Sequence, residues 1–155
     1  MNEENAKEIC TWEYEGEYAV YNLSDWDRVV ENNWELAVKE EREASFLSVT
    51  QDNQLVAYGV ITIKNGIVLL GIGLKPSLCG KGLGADIMKL LIEESENRFP
   101  GRSIALEVRS FNRRAIRCYE NIGFEIKDKY LRDTLTTKNA EFYYMEYEDS
   151  SKDNH

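Results

Sequence analysis

The stretch KPSLCGKGLGADIMKLLIEE, residues 75–94, constrains the fold more than any other part of the chain. Three glycines fall within five positions there, and an apolar pattern with helical spacing begins immediately after them. The apolar run before the stretch, residues 67–74, has the length and composition of a buried strand. We therefore predict a strand, a glycine loop and then a helix over residues 82–97. The apolar face of that helix is predicted to contain Leu83, Ile87, Leu90 and Leu91.

The first half of the chain combines an aromatic segment, a helical segment and β-rich runs. The aromatic residues of segment 8–23 predict a first strand, and segment 24–43 predicts one or two helices with Ser24 as the N-cap. Short turns with Asp-Asn and Asn-Gly separate the β-rich runs, which is typical of an antiparallel meander. These runs are residues 45–50, 55–63 and 67–74.

The second half continues with alternating strands and a helix. We predict a strand over residues 103–108, a helix over 112–122 that ends at Gly123, and strands over 124–133 and 141–147. The predicted fold class is mixed α/β, with a mostly antiparallel central sheet flanked by helices and one parallel step around the glycine loop.

Length and composition predict one domain over residues 1–149, followed by a polar tail over residues 150–155. No apolar run approaches the ~18 residues that a membrane-spanning helix needs. The start MNEENAKE is polar and acidic, unlike a signal peptide. We therefore expect a soluble cytoplasmic protein that does not use a membrane.

The cysteine and histidine content narrows the chemistry. Cys10, Cys79 and Cys118 are odd in number and lack metal-ligand spacing, which favours reduced thiols and no metal site. The single histidine is His155, the last residue of the polar tail. Mechanisms that need a histidine base are therefore disfavoured.

Negative charge is concentrated in the first third of the chain. Residues 1–43 contain thirteen Asp and Glu against four Lys and Arg, whereas the remainder is balanced at fifteen of each. This distribution argues against nucleic acid as a partner. It is compatible with a cationic substrate, although a solvated acidic face is the commoner meaning of such a distribution.

The glycine loop predicts a site for an anion. Residues 80–85, Gly-Lys-Gly-Leu-Gly-Ala, match the dinucleotide pattern G-x-G-x-x-G/A, but five residues separate them from the strand and the earlier strands are hairpin-connected. A P-loop fails too, because Gly82 follows Lys81 where Ser or Thr is required. A helix that begins near Gly82 nevertheless presents unpaired N–H groups suited to a pyrophosphate. The alternative is a turn needed only for strand-to-helix geometry.

Two linked blocks resemble the GCN5-related N-acetyltransferase (GNAT) family. Residues 79–84 resemble its acetyl-CoA loop, Gln/Arg-x-x-Gly-x-Gly/Ala, although Cys79 replaces the usual Gln or Arg. Residues 105–124, ALEVRSFNRRAIRCYENIGF, resemble its second block, most closely in enzymes that acetylate the N-terminal amine of a ribosomal protein. The resemblance covers roughly residues 55–147. It implies an acyl-CoA N-acyltransferase fold and acetyl-CoA as the acetyl donor, without a metal.

The resemblance also implies roles for individual residues. Main-chain groups of the loop would hold the pyrophosphate, the end of the preceding strand would pair with the pantetheine arm, and Asn112 would contact that arm. The N–H of Leu74 would stabilise the oxyanion, and the Tyr119 hydroxyl would protonate the departing thiolate. The implied cofactor-binding residues are Ile72, Gly73, Leu74, Gly80, Lys81, Gly82, Leu83, Gly84, Ala85, Asn112 and Tyr119.

Several of these residues also have simpler interpretations. Gly73 favours close approach by a cofactor, or a sheet irregularity. Tyr119 shares an apolar stripe with Ala115 and Ile122, so core packing alone would also explain it. For Cys79, an oxidation-sensitive thiol or a small tolerated side chain are both open.

Glu107 is the candidate general base. Strand alternation places it on one sheet face with Ala105 and Arg109, where a carboxylate suits a groove and can take a proton from an amine. A solvated or Arg-paired Glu107 is the alternative. A run of basic residues follows and could contact phosphates or simply be exposed: Arg109, Arg113, Arg114 and Arg117.

The predicted function is transfer of an acetyl group to a primary amine by direct attack in a ternary complex. The acceptor is a small amine or a peptide or protein N-terminus; Tyr130 alone stands where peptide-acetylating relatives have an aromatic pair. The alternative is a catalytically idle acyl-CoA-binding or sensing domain on the same fold. The family resemblance leaves a homodimer open. The acidic N-terminal segment also contains aromatic residues, for which either an acceptor groove or core packing is open: Trp12, Tyr14, Tyr18, Trp26 and Trp34.

Overall fold

The computed structural model describes residues 1–134 and 136–148. Its six strands form one sheet in the order β1-β2-β3-β4-β6-β5. Strands β3 and β4 pair in parallel, whereas β1 with β2, β4 with β6 and β5 with β6 pair antiparallel. The predicted fold class is thus confirmed. The strands are β1 (Phe46–Gln51), β2 (Gln54–Lys64), β3 (Ile67–Leu74), β4 (Ile104–Arg109), β5 (Phe124–Arg132) and β6 (Ala140–Tyr147).

The hairpin turns form where the sequence indicates them. Asp52 and Asn53 have φ of 52° and 64°, and Asn65 and Gly66 have φ of 53° and 80°. Two successive positive φ values match the twist of an antiparallel hairpin, and Asn, Asp and Gly tolerate them. The predicted β-rich runs therefore become β1, β2 and β3 with shifts of one residue at most.

The helices follow the prediction from residue 24 onward. Segment 24–43 contains two helices, and the first is capped by Asp25 rather than Ser24, because the Asp25 side chain accepts a hydrogen bond from the N–H of Arg28 at 3.0 Å. Helix α4 buries Ile87 and Leu91 as predicted, but Leu90 is 56% exposed, so its assignment to the apolar face is wrong. The helices are α1 (Glu3–Ile9), α2 (Trp26–Glu31), α3 (Lys39–Ser45), α4 (Leu83–Arg98) and α5 (Arg113–Ile122).

The predicted first strand over residues 8–23 is wrong. Helix α1 extends into that segment, and a short 3₁₀ helix, Gly16–Tyr21, occupies its second half. Asn2 caps α1 by accepting a hydrogen bond from the Asn5 N–H at 2.8 Å. Ala6 and Ile9 of α1, three positions apart, are both fully buried. Capping and burial on one helical face outweigh the strand preference of the aromatic residues.

Contacts between residues divide the chain into two compact units. Among the described residues, one comprises 1–60 and 72–83, and the other comprises 61–71, 84–134 and 136–148. The buried residues that form the hydrophobic cluster of the first unit are Ala6, Ile9, Trp12, Val29, Leu36 and Leu55. The fully buried residues of the second unit include Val68, Ile87, Met88, Leu106, Phe124 and Met145.

The single domain over residues 1–149 stays a prediction. Residue 149 and the tail predicted over residues 150–155 lie outside the described residues. Within residues 1–134 and 136–148, no helix combines the length and hydropathy that crossing a bilayer requires.

Candidate active site

The end of β3 is closely packed by an aromatic ring. Gly73 is buried, and a Cβ atom built there would lie 2.1 Å from Cε1 of Tyr58, well inside van der Waals contact. Glycine is therefore required at position 73 because Tyr58 occupies the side-chain space. The Tyr58 ring provides a physical reason for this glycine that needs neither a bulge nor a cofactor.

The next peptide along β3 is fixed at both of its polar groups. The Tyr14 hydroxyl donates a hydrogen bond to the carbonyl oxygen of Leu74 at 2.6 Å. The N–H of the following residue, Lys75, donates to the carbonyl oxygen of Val56 at 2.9 Å. Burial raises the pKa of Tyr14, so its hydroxyl stays protonated and remains a donor. Both bonds restrict rotation of the peptide immediately after the predicted oxyanion donor, the Leu74 N–H.

The glycine loop is exposed and needs its glycines for backbone reasons. Gly80 and Gly82 both have φ of 79°, a conformation that side chains disfavour. A Cβ atom at Gly82 would meet nothing within 4 Å, so packing does not dictate the residue there. Lys81 between them is exposed, and α4 begins at Leu83, one residue after the predicted start.

This loop leads directly into a sixteen-residue helix, α4. The first N–H groups of a helix lack intrahelical partners, and its positive dipole end favours anions. Cys79, at the start of the loop, is half-buried with Sγ 3.7 Å from the carbonyl oxygen of Lys75.

Glu107 is engaged by two side chains of β5. Its Oε2 atom accepts a hydrogen bond from the Tyr130 hydroxyl at 2.5 Å and another from Nε of Arg132 at 2.9 Å. The Glu107 side chain is 28% exposed, while its β4 neighbours Leu106 and Val108 are buried. The Arg-paired arrangement, left open by the sequence, is the one observed.

Phe142 on β6 supports both donors. The Arg132 guanidinium lies over the Phe142 ring at 4.2 Å, and the Tyr130 ring stacks on it with centroids 6.3 Å apart. Burial and the hydrogen bond to the Glu107 carboxylate raise the pKa of Tyr130. We call Glu107, Tyr130, Arg132 and Phe142 the Glu107 cluster.

Tyr119 and Asn112 are both located by helix α5. Oδ1 of Asn112 caps the helix by accepting from the N–H of Ala115 at 3.3 Å, and Gly123 ends it with φ of 126°. The Tyr119 ring is half-buried, with its centroid 6.1 Å from that of Phe124. The predicted cap and helix end are confirmed, while the cofactor contacts of both residues stay predictions. The buried residue of α5 is Ile116, which the predicted inner stripe omitted.

The predicted basic cluster is divided by burial. Arg109 is only 9% exposed, and its guanidinium lies 5.4 Å from the Phe111 ring and 5.5 Å from the Phe142 ring. Its Nε has no hydrogen-bond partner among the described residues. The other three arginines lie on α5 and are exposed: Arg113, Arg114 and Arg117. Simple exposure, one of the two interpretations, therefore holds for the three arginines of α5 and not for Arg109, and contacts with phosphates stay a prediction.

Sequence reasoning missed Arg132 and Tyr58. Arg132 follows Tyr130 by two positions on β5, so strand alternation places both on one face. The sequence therefore indicates that Tyr130 and Arg132 share a face. Which residues that face contacts depends on the β5–β6 register, which shifts between Ile126 and Asp128. Tyr58 has no local signal, because only the packed structure brings it against Gly73.

A family comparison agrees with these features. The model of the acetyltransferase (GNAT) family matches residues 6–124, which is most of the chain. The chain belongs to the GNAT acetyltransferase family. Among curated proteins, it is 33% identical over 85 residues to the [Ribosomal protein bS18]-alanine N-acetyltransferase of Escherichia coli strain K12. That match covers 54% of this chain and 56% of the relative, so the chain spans about half the length of the curated relatives it matches.

Solved structures share the fold. A spermidine N-acetyltransferase chimera from Vibrio cholerae and hSSAT aligns with a TM-score of 0.78 at 16% identity, covering 100% of this chain and 96% of that one. The yncA protein of Salmonella typhimurium, solved with its cofactor acetyl-CoA, aligns with a TM-score of 0.68 at 19% identity. That alignment covers 97% of this chain and 92% of the other. Both likenesses support the acyltransferase fold of this GNAT chain.

Proposed function

We propose that this chain transfers an acetyl group from acetyl-CoA to a primary amine by direct attack in a ternary complex. The observation that carries the proposal is the exposed glycine loop, in which Gly80 and Gly82 have φ of 79° and lead directly into α4. The loop has the spacing of the family's acetyl-CoA motif. Main-chain N–H groups of residues 80–85 bind the pyrophosphate in this proposal, with Lys81 adding a positive charge.

The pantetheine arm pairs with the main chain of Ile72–Leu74 in the manner of an added strand. Parallel pairing of β3 with β4 covers Val68–Leu70, so the last residues of β3 lie beyond that ladder. The bonds to Leu74 O and Lys75 N–H support this role, because a rigid strand end can present its N–H groups in one orientation. Asn112 contacts the arm in addition to capping α5.

The chemical step uses one main-chain group and two side chains. The amine nitrogen attacks the thioester carbonyl carbon, the C–N bond forms, and the C–S bond breaks to release coenzyme A as a thiolate. The Leu74 N–H stabilises the oxyanion, Glu107 accepts the amine proton directly or through a water, and Tyr119 protonates the thiolate. The Glu107 side chain is 28% exposed, which supports its role as a base that an amine can reach.

The acceptor in this proposal is a small amine or a peptide or protein N-terminus. The curated relative is named for an alanine of ribosomal protein bS18, and the chimera is named for spermidine, so the relatives include enzymes named for a protein and for a small amine. Before the acceptor amine loses its proton it is a cationic ammonium, which the Glu107 carboxylate attracts.

A second candidate is an idle acyl-CoA-binding domain. The observation that favours it is the occupation of Glu107 by Tyr130 and Arg132, together with Cys79 in place of the family's Gln or Arg. Such a domain would bind acetyl-CoA through the same loop without turning it over.

Calorimetry and a thiol-release assay separate these functions. We expect acetyl-CoA to bind the full chain and at least one member of an amine panel to accelerate thiol release. The panel contains polyamines, amino acids, aminoglycosides and short peptides with free N-termini. Binding without accelerated release by any of them would favour the idle domain, and failure to bind acetyl-CoA or coenzyme A would overturn both functions.

A further inference from the structure

The hydrogen bonds to Glu107 are asymmetric. Tyr130 and Arg132 both donate to Oε2, whereas Oε1 has no hydrogen-bond partner among residues 1–134 and 136–148. A carboxylate with two donors on one oxygen cannot rotate about its terminal bond without breaking both hydrogen bonds. Oε1 is therefore held in a fixed direction relative to β4.

We propose that Tyr130 and Arg132 are positioning residues that fix the Glu107 carboxylate so that Oε1 accepts the proton of the amine. This inference rests on the proposed function, because it refines how the base of that reaction is held. Neither residue touches the reacting atoms in this account. Their effect passes through Glu107, as supporting hydrogen bonds orient catalytic groups in other sites.

The two donors are themselves restrained. The Arg132 guanidinium carbon lies 4.2 Å from the centroid of the Phe142 ring, and Tyr130 stacks on the same ring at an interplanar angle of 24°. Tyr130 pairs with Phe142 across the β5–β6 ladder, which fixes their relative height along the sheet. A guanidinium held by an aromatic face and by a carboxylate loses little further freedom when the acceptor binds.

The donors differ in charge, and this difference makes the inference testable. Tyr130 stays neutral because burial and Glu107 raise its pKa, so it orients the carboxylate without adding charge. Arg132 donates a hydrogen bond at 2.9 Å from a guanidinium, whose positive charge strengthens the bond. Loss of Arg132 should therefore disturb the position of Glu107 more than loss of the Tyr130 hydroxyl does.

Other charged and titratable groups near Glu107 are few in the described residues. Tyr144 on β6 is its register partner, and the pKa of Tyr144 is raised by burial first, then by Glu146 and Glu107. Asp128 pairs with Tyr144 from β5, and Arg109 follows two positions along β4. None of these forms an ion pair with Glu107, whereas Arg132 does.

The test compares kcat with the KM for acetyl-CoA in Arg132→Gln, Arg132→Lys and Tyr130→Phe. In Arg132→Gln the kcat should fall about tenfold, because the carboxylate is no longer held, while the KM for acetyl-CoA should stay within about twofold. Arg132→Lys should restore part of kcat, because it returns a charged donor without the planar guanidinium. Tyr130→Phe should lower kcat by a smaller factor, since it removes a neutral donor.

Lys129→Gln is the matched control. Lys129 lies on the same strand, is 56% exposed and pairs with Glu141 rather than Glu107. Its removal changes the net charge equally and should leave kcat unchanged. Equal losses of kcat in Lys129→Gln and Arg132→Gln would overturn the inference, because general charge would then explain both.

Glu107→Gln separates the two levels of the proposal. If Glu107→Gln slows transfer while Arg132→Gln and Tyr130→Phe leave kcat unchanged, only the positioning roles fail. If Glu107→Gln transfers acetyl at the unaltered rate, the proposed base itself is wrong. Should Arg132→Gln fail to fold, Arg132→Lys and Tyr130→Phe still test the inference, because an unchanged kcat in both would contradict it.

Discussion

The end of β3 and the glycine loop depend on main-chain groups, whereas the Glu107 cluster depends on side chains. In the first region the decisive features are main-chain groups and the absence of side chains, at Gly73, Gly80 and Gly82. In the second region the decisive features are side chains that meet from β4, β5 and β6. A main-chain site is altered by changes in φ or in packing space, whereas a side-chain site is altered by the loss of single atoms. Substitutions should therefore separate binding from chemistry.

The largest expected effect comes from the hydroxyl of Tyr119. Tyr119→Phe should lower acetyl transfer by about 100-fold, because a positioned acid typically contributes that much, while the Kd for acetyl-CoA stays nearly constant. The measurement combines thiol release with calorimetry. Tyr147→Phe is the control, since Tyr147 also packs its ring on Phe124, with centroids 5.4 Å apart. Unaltered turnover in Tyr119→Phe would remove this hydroxyl from the mechanism.

A packing change at Gly73 should have the next largest effect. Gly73→Ala places a Cβ atom 2.1 Å from the Tyr58 ring, so the free energy of unfolding should fall by about 2 kcal/mol. Urea denaturation measures this change. In a Tyr58→Leu background the same substitution should cost clearly less, because the ring is gone. An equal cost in both backgrounds would mean that the ring is not the obstacle.

Gly82 of the glycine loop has a close counterpart in Gly101, which lies between α4 and β4. Gly82 and Gly101 both have φ of 79°, and an added Cβ at either meets nothing within 4 Å. Alanine at each should cost a similar ~1 kcal/mol of unfolding free energy from backbone strain. Only Gly82→Ala should also weaken acetyl-CoA binding, by about tenfold, since this loop must approach the pyrophosphate. Equal affinities in both variants would contradict the role of the loop.

The smallest expected effect is a change in alkaline stability. Burial, followed by the charge of Cys10, raises the pKa of Tyr58 from 10.0 to about 12. Between these values the unfolded chain releases the Tyr58 proton while the folded chain keeps it, so stability falls as pH rises. From pH 10 to pH 11 the free energy of unfolding should fall less in Tyr58→Phe than in the protein that retains Tyr58. The difference between the two falls should be up to about 1 kcal/mol. Thermal or urea unfolding at both pH values measures the difference; parallel declines would exclude Tyr58 as a contributor.

The main-chain region was largely predictable from local sequence. Tight-turn residues, the apolar run of β3 and the cap and C-terminal glycine of α5 each have a short-range signal, and all were predicted correctly. The reason given for Gly73 was incomplete, because Tyr58 lies on another strand. The predicted first strand failed because aromatic content was weighted above the apolar spacing of Ala6 and Ile9.

The Glu107 cluster could be predicted only in part. Strand alternation placed Glu107 on one face with Ala105 and Arg109, which are both buried, and it left open whether Glu107 faces a groove or pairs with an arginine. The partners of Glu107 lie 23 and 25 residues away in sequence. Their contact depends on a strand register with an irregularity between Ile126 and Asp128, and no local pattern specifies it. Side-chain sites assembled across strands therefore need the structure, whereas loops with positive φ do not.

Strand β5 has a consequence for how separate copies of the chain meet. It is the last strand in the sheet order, and an outermost strand offers unpaired main-chain groups to any passing chain. Lys127 on this strand forms ion pairs with Glu125 at 3.1 Å and with Glu148 at 3.0 Å, and Lys129 forms one with Glu141. Pairing of a second chain with β5 would remove water from these charged side chains, which is unfavourable. The charges on β5 therefore disfavour fibril-like association of separate copies.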